Sequence, residues 1–171
     1  MDISELNARI QNTNENVDSI SGLEIVFEAL VTKVVELYGK NTLLSAAYQI
    51  GAAPAHKIAQ RLLTARGGEM FDDPIEALAT LLSETKGFFH VEVENIQQDG
   101  GEIVVSMKNH CFLRPVIVKR AGLEMGGPLC RINKGYLETA VKELTGKKVE
   151  LKRTGDDNNA CMCLETLRIE M

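Results

Sequence analysis

The sequence predicts an α+β fold, in which N-terminal helices pack on a four-stranded antiparallel sheet with one inserted helix. Two changes of pattern along the chain support this class. Apolar residues recur at three- and four-residue spacing as far as Gly87, as in helices, and then alternate with polar residues, as in strands. A further helical stretch, Tyr136 to Leu144, interrupts the alternation and separates two pairs of strands.

The length of 171 residues fits one domain. Residues 1–16 are polar and are predicted to form a flexible N-terminal arm. The remainder, 17–171, is predicted to be a single domain with a helical half, 17–87, and a half that contains the sheet, 88–171. Hydrophobic residues make up 44% of the chain, which supplies enough apolar surface for a core.

Charge and hydropathy argue against two classes of partner. The net charge is −5 and no cluster of Lys and Arg occurs, whereas nucleic-acid-binding proteins usually carry a basic patch. No apolar run approaches the roughly 20 residues of a membrane span. The N-terminal residues also lack the basic and then apolar pattern of a signal peptide. We therefore expect a cytoplasmic protein that binds neither nucleic acid nor a membrane.

The helices are predicted from capping residues and apolar spacing. Ser21 and Glu24 form a capping box at the start of the first helix, and Gly39 ends it. Asp73 and Pro74 are typical of the start of the third helix. The predicted apolar face of the first helix consists of Leu23, Phe27, Leu30, Val34 and Leu37.

The second helix, Asn41 to Ala65, contains Pro54, which predicts a kink or a break. Its middle is unusually rich in small residues. These residues allow two interpretations: close packing against another helix or a second subunit, or space for a bound molecule. The small residues are Ala46, Ala47, Gly51, Ala52, Ala53 and Ala55.

The sheet is predicted from four alternating segments. Asp99 and Gly100 mark a hairpin between the first two strands. In the inserted helix, Glu138 and Lys142 are spaced to pair on its outer face. Val149 begins the third strand, 154–159 is predicted to be a polar turn, and 161–169 is predicted to be the fourth strand.

The C-terminal third resembles the 4-vinyl reductase domain family. The resemblance rests on the order and spacing of several short motifs. These motifs are Asn109-His110-Cys111, Gly127-Pro128-Leu129-Cys130, Gly135-Tyr136-Leu137, the run from Thr145 to Glu150, and a Gly155-Asp156 turn that leads to Cys161. The junction Tyr38-Gly39-Lys40-Asn41 also matches the family's layout. The resemblance implies a pocket for small, often apolar molecules, a dimer formed largely by helices and, in some members, a zinc site lined by cysteines.

The four cysteines allow three interpretations. Zinc prefers four thiolate or imidazole ligands, and Cys111, Cys130, Cys161 and Cys163 supply that number. Relatives that bind zinc usually carry a cysteine directly before the Gly-Asp turn, where this chain has Leu151, Lys152 and Arg153. The second interpretation is redox chemistry, with Cys130 as the reactive thiol because a helix start lowers a thiol pKa. The third is packing in the core.

These features favour a binding module over an enzyme. We expect a homodimer that encloses a small apolar, hydrocarbon-like ligand and acts through a regulatory protein partner. Candidates to line the pocket are Tyr48, Phe88, Met107 and Tyr136. One alternative is an enzyme, or an accessory to one, that acts on a vinyl or tetrapyrrole substrate; another is a cysteine-based redox sensor. No residues are predicted to be catalytic, since neither a catalytic triad nor a phosphate-binding loop is present.

Overall fold

The computed structural model describes residues 3, 5, 19–87, 89–118, 124–157 and 162–171. Ile3 and Glu5 are helical, and the rest of the predicted arm, residues 1–16, lies outside the described part of the chain. The elements, in chain order, are α1 (Ser19–Tyr38), α2 (Lys40–Ala65), α3 (Pro74–Thr85), β1 (Phe89–Asp99), β2 (Glu102–Cys111), α4 (Arg114–Val118), α5 (Cys130–Thr145), β3 (Val149–Asp157) and β4 (Met162–Glu170).

The four strands form one antiparallel sheet in the order β1-β2-β4-β3. Helix α5, which joins the two hairpins, packs with α2 and α3 on one face of the sheet and buries the main core. Alternate residues of β2 and β4 point into this core, as the two-residue period requires. The predicted α+β class, with an inserted helix between two strand pairs, is therefore confirmed.

Helices α2 and α5 are in direct backbone contact. A Cβ atom added at Gly51 would overlap the carbonyl oxygen of Ile132, and one added at Gly135 would overlap the carbonyl oxygen of Tyr48. Ala47 and Ala55 of α2 are completely buried. The small residues of α2 therefore serve close helix packing, the first of the two interpretations.

Glu138 ties this helix pair to the sheet. Its carboxylate accepts hydrogen bonds from the Tyr48 hydroxyl at 3.0 Å and from the Leu151 backbone N–H at 2.7 Å. Lys134, four residues earlier on α5, lies 3.3 Å from the same carboxylate. The predicted pairing of Glu138 with Lys142 on an outer face is wrong, because Glu138 lies on the side of α5 that meets α2 and β3.

Helix α1 begins before the predicted capping box, so Ser21 lies inside the helix. Only part of its predicted apolar face is covered. Val31 packs in a second, smaller core with α2 and the region around α4, with Phe27 and Val34 against it. Leu23, Leu30 and Leu37 are instead exposed, together with Val26 and Tyr38.

Two predicted interruptions are absent from the described elements. Helix α2 continues through Pro54. Pro54 and Ile50 are both exposed, so water can take the hydrogen bond that the proline removes from the Ile50 carbonyl. Strand β3 likewise continues past Thr154 to Asp157, and a register shift between Arg153 and Gly155 keeps it paired with β4. The end of the predicted polar turn, residues 158–159, lies outside the described part of the chain.

Candidate functional site

A partly enclosed cavity of about 170 Å³ lies where the start of α5 meets α4 and the adjacent ends of β2, β3 and β4. Three of the four predicted zinc ligands, Cys111, Cys130 and Cys163, line it. The structure therefore brings three of the four predicted ligands together at one corner of the fold. The lining residues with charged or amide side chains are Arg114, Arg131, Asn133, Lys134, Arg153 and Glu165. Ile117, Met125 and Leu151 contribute apolar surface.

A buried carboxyl group, Glu165, forms part of the cavity wall. It occupies an inward-facing position of β4 and is only 6% exposed. The Asn133 side chain of α5 donates to one carboxyl oxygen at 2.7 Å, and the Asn109 side chain of β2 donates to the other at 3.0 Å. Burial raises the pKa of Glu165 even though the two amides favour its ionised form.

Two arginines that line the cavity share one carboxylate, and one of them, Arg153, is the cross-strand neighbour of Glu165. Arg114 of α4 lies 3.3 Å from one oxygen of Asp156, and Arg153 of β3 pairs with the other oxygen. Burial opposes the ionisation of Asp156, but the two guanidinium groups outweigh burial and lower its pKa. Arg114 also donates to the Met162 carbonyl oxygen at 3.3 Å, which ties α4 to β4.

A glycine turn places Cys130 at the cavity. Gly126 has a φ of +81°, a value that favours glycine, and its N–H donates to the Cys130 sulfur at 3.2 Å. A Cβ atom at Gly126 would lie 3.1 Å from a terminal nitrogen of Arg153. Because Gly126 has no side chain, the Arg153 guanidinium packs directly against the backbone of this turn at the edge of the cavity.

The three described thiols are poor nucleophiles. Burial raises the pKa of Cys111 to about 12 and also raises the pKa of Cys130 and of Cys163. The expectation that the start of α5 lowers the pKa of Cys130 is therefore wrong in direction, because removal of the thiol from water outweighs its hydrogen bond from Gly126. A thiol in this state reacts slowly at neutral pH.

The same three cysteines do not form a metal site within the described residues, where no group of three or more His, Cys, Asp or Glu side chains could hold a metal ion. Arg114 donates to the Cys163 sulfur at 3.7 Å, so its positively charged guanidinium lies next to the sulfur that a zinc ion would have to approach. The fourth predicted ligand, Cys161, lies outside the described residues. Zinc binding stays a prediction.

The predicted ligand-binding residues lie elsewhere. Met107 and Tyr136 are buried in the main core, where Tyr136 packs against Phe89 with ring centroids 5.2 Å apart. Tyr48 lies between α2 and α5, bonded to Glu138. None of these three side chains lines the 170 Å³ cavity. Phe88 lies outside the described residues, and a ligand role for the four stays a prediction.

The polar residues that form this site were not predicted from the sequence. The pattern nevertheless contains a signal for two of them. Asn109 follows Ile103, Val105 and Met107 at two-residue spacing, and Glu165 stands between Cys163 and Leu167 in the same way. A polar residue at an inward position of a strand must find a partner in the interior. Arg114 and Arg153 lie on a short helix and at a strand irregularity, where no period identifies them.

No protein-family model and no curated protein matches this sequence. Solved structures that are similar to it include the following two. The phenol-responsive sensory domain of the transcription activator PoxR, in a crystal structure with phenol, matches with a TM-score of 0.56 at 15% identity, over 86% of this chain and 74% of that chain. A trafficking protein particle complex subunit 3 from Naegleria fowleri, covalently bound to palmitic acid, matches with a TM-score of 0.53 at 16% identity, over 86% of this chain and 92% of that chain.

At these identities the likeness shows the fold. Each of these two structures contains a small molecule, which fits the general expectation of an α+β domain that binds one. Membership in the 4-vinyl reductase family stays a prediction. In the described part of the chain, no helix combines the length and apolar content needed to cross a bilayer.

Proposed function

We propose that this chain is a sensory domain that binds a molecule of one-ring size in the cavity between α4, α5 and β4. The cavity's volume, about 170 Å³, is the observation that carries the proposal. Cavities of about 150 Å³ hold benzene, whereas drug-sized ligands need about 300–1,000 Å³. The PoxR sensory domain, which has a similar fold, is phenol-responsive. A phenol-sized molecule is therefore the ligand class that fits.

The volume of the cavity also argues against the alternative ligands. A tetrapyrrole substrate and a long acyl chain such as palmitic acid are both much larger than one ring, and neither fits inside this cavity. The raised pKa values of Cys111, Cys130 and Cys163 count against a redox sensor that relies on a reactive thiolate. Small-molecule binding without covalent chemistry is the function that the site supports best.

Binding can be passed to the surface through α1. Ile117 lines the cavity and also packs in the second core with Val31 of α1. Because Ile117 contacts both the cavity and the second core, a ligand that moves Ile117 changes the packing of α1 against that core. We propose that α1 is the element through which the domain reports to a regulatory partner.

The outer face of α1 suits a second copy of the chain. Leu23, Val26, Leu30 and Leu37 are exposed, and their spacing of three, four and seven residues forms one apolar stripe. Two such stripes can pair about a twofold axis. The Leu30→Glu variant should be monomeric in sedimentation experiments in which the parent is dimeric, while Ile96→Glu, which alters an exposed sheet residue, should not change the mass. A monomeric parent would refute the dimer and leave the ligand proposal intact.

Calorimetric titration with phenol tests the ligand proposal, and we expect a dissociation constant of roughly 0.1–1 mM for a ligand this small. Two substitutions at one cavity position provide the matched comparison. Cys130→Phe fills the cavity and should abolish binding, whereas Cys130→Ser keeps its volume and should retain binding. Equal phenol binding by both variants would refute the cavity as the site.

A further inference from the structure

We infer that the ligand of this cavity is an anion, namely a carboxylate on a single ring, whose charged group lies at the end formed by Arg114 and Arg153. The inference rests on the proposed function and adds the ligand's charge to its size. It depends on the distribution of charge around the cavity, which the volume alone does not determine.

Two positively charged guanidinium groups share one negatively charged carboxylate at this end of the cavity. Arg114 and Arg153 both pair with Asp156, and among the described residues neither makes an ion pair with a second carboxylate. Both guanidinium groups line the cavity, and the two share the single negative charge of Asp156. A ligand carboxylate in the cavity can therefore pair with their terminal N–H groups.

Glu165 is the cross-strand neighbour of Arg153, but among the described residues it forms no ion pair with Arg153 or Arg114. Both of its oxygens already accept from Asn109 and Asn133, so they are turned toward the amides. Burial disfavours its ionised form, which is why its pKa is raised despite the charge of Arg153. Among the described residues, the carboxylate in direct contact with the two guanidinium groups is therefore that of Asp156 alone.

Two further charged side chains line the cavity and both are cations, although Lys134 is paired with the Glu138 carboxylate at 3.3 Å. Arg131 lines it as an exposed side chain, and Lys134 lines it while donating to the Leu151 carbonyl oxygen at 2.9 Å. The positive end of the α5 dipole points to the same place. The N–H groups of Cys130 and Arg131 already donate to Gly127 and Pro128, so side chains must supply the direct contacts.

Three one-ring probes of different charge test the inference: benzoate, phenol and benzylamine, titrated into the full chain at pH 7 and low salt. We expect benzoate to bind at least about tenfold more tightly than phenol, and benzylamine to show no binding. Phenol binding equal to or tighter than benzoate binding would overturn the anion assignment but support the proposed function. Absence of binding by all three probes would overturn both.

A pair of variants locates the charge. Arg153→Gln should reduce benzoate binding about tenfold and leave phenol binding within about twofold. Arg168→Gln is the matched control, since Arg168 carries the same charge on β4, is half exposed and does not line the cavity. Equal loss of benzoate binding in both variants would show a general charge effect and refute the site. Circular dichroism of each variant confirms that it is folded before titration.

Discussion

The side-chain nitrogen of Asn133 lies 2.7 Å from a carboxyl oxygen of Glu165, so the first turn of α5 is bonded to an inward-facing position of β4. This contact joins two of the elements that form the cavity wall. It also accounts for how a carboxyl group can be buried at this position, since Asn109 serves the second oxygen.

Removal of the Asn133 amide should destabilise the fold. Asn133→Ala leaves a buried carboxyl oxygen without its donor, which should lower the free energy of unfolding by about 2 kcal/mol in urea titrations. Asn95→Ala, an exposed position on β1, is the control and should change it by less than about 0.5 kcal/mol. Equal stability of the two variants would mean that the Asn133–Glu165 hydrogen bond contributes little.

The raised pKa of Glu165 predicts a dependence of stability on pH. A carboxyl whose pKa is higher in the folded than in the unfolded state binds its proton more tightly when folded. Stability from this group therefore falls as pH rises from the ordinary carboxyl pKa of 4.5 through the raised value. Glu165→Gln removes this loss, and one neighbouring amide can rotate to accept from the new NH₂ group.

Urea unfolding of the parent and of Glu165→Gln, measured between pH 4.5 and pH 8, checks this dependence. The parent should lose stability relative to the variant as pH increases. The opposite trend, in which the parent gains stability relative to Glu165→Gln, would show that the pKa of Glu165 is lowered by folding.

The contact between α2 and α5 predicts that neither helix tolerates a methyl group at the crossing. Gly51→Ala and Gly135→Ala each force a Cβ atom into a backbone carbonyl group, so the helices must separate. We expect each substitution to cost about 3 kcal/mol of unfolding free energy. Gly87→Ala is the control, since a Cβ atom there meets no atom within 4 Å. Similar melting temperatures for all three variants would disprove the close packing.

The buried thiols should resist alkylation. Cys111 and Cys163 should react with iodoacetamide at pH 8 far more slowly in the folded protein than in urea, because burial keeps both protonated and covered. Peptide mass spectrometry distinguishes the individual cysteines. Labelling of Cys130 faster than in the unfolded chain would restore it as a reactive thiol and revive the redox hypothesis.

Periodic patterns made most of the fold predictable. The change from helical to alternating spacing at Gly87, the cap formed by Asp73 and Pro74, and the hairpin at Asp99 all reflect local backbone preferences, and each is present in the structure. Local patterns failed for α1, where Leu23 and Leu30 are apolar but exposed. The spacing of apolar residues identifies the apolar face of a helix, but it does not show which part of the protein packs against that face.

The candidate site was predictable only in part. The motifs around Cys111, Cys130 and Cys163 indicated the corner where the cavity lies. Its polar residues come from α4, α5, β3 and β4. Arg153 and Asp156 are neighbours on β3, but Arg114 lies 42 residues from Asp156 in the sequence and meets it only through tertiary packing. Tyr136 and Met107 have the character of pocket residues but fill the core, because aromatic and thioether side chains suit either place.

Methionine methyl resonances can locate the bound ligand, because Met125 lines the cavity whereas Met107 lies in the main core. In a phenol titration followed by NMR, we expect a saturable shift of the Met125 methyl and an unchanged Met107 methyl. A shift of Met107 without one of Met125, or no shift of either at saturating phenol, would contradict binding of phenol in the cavity.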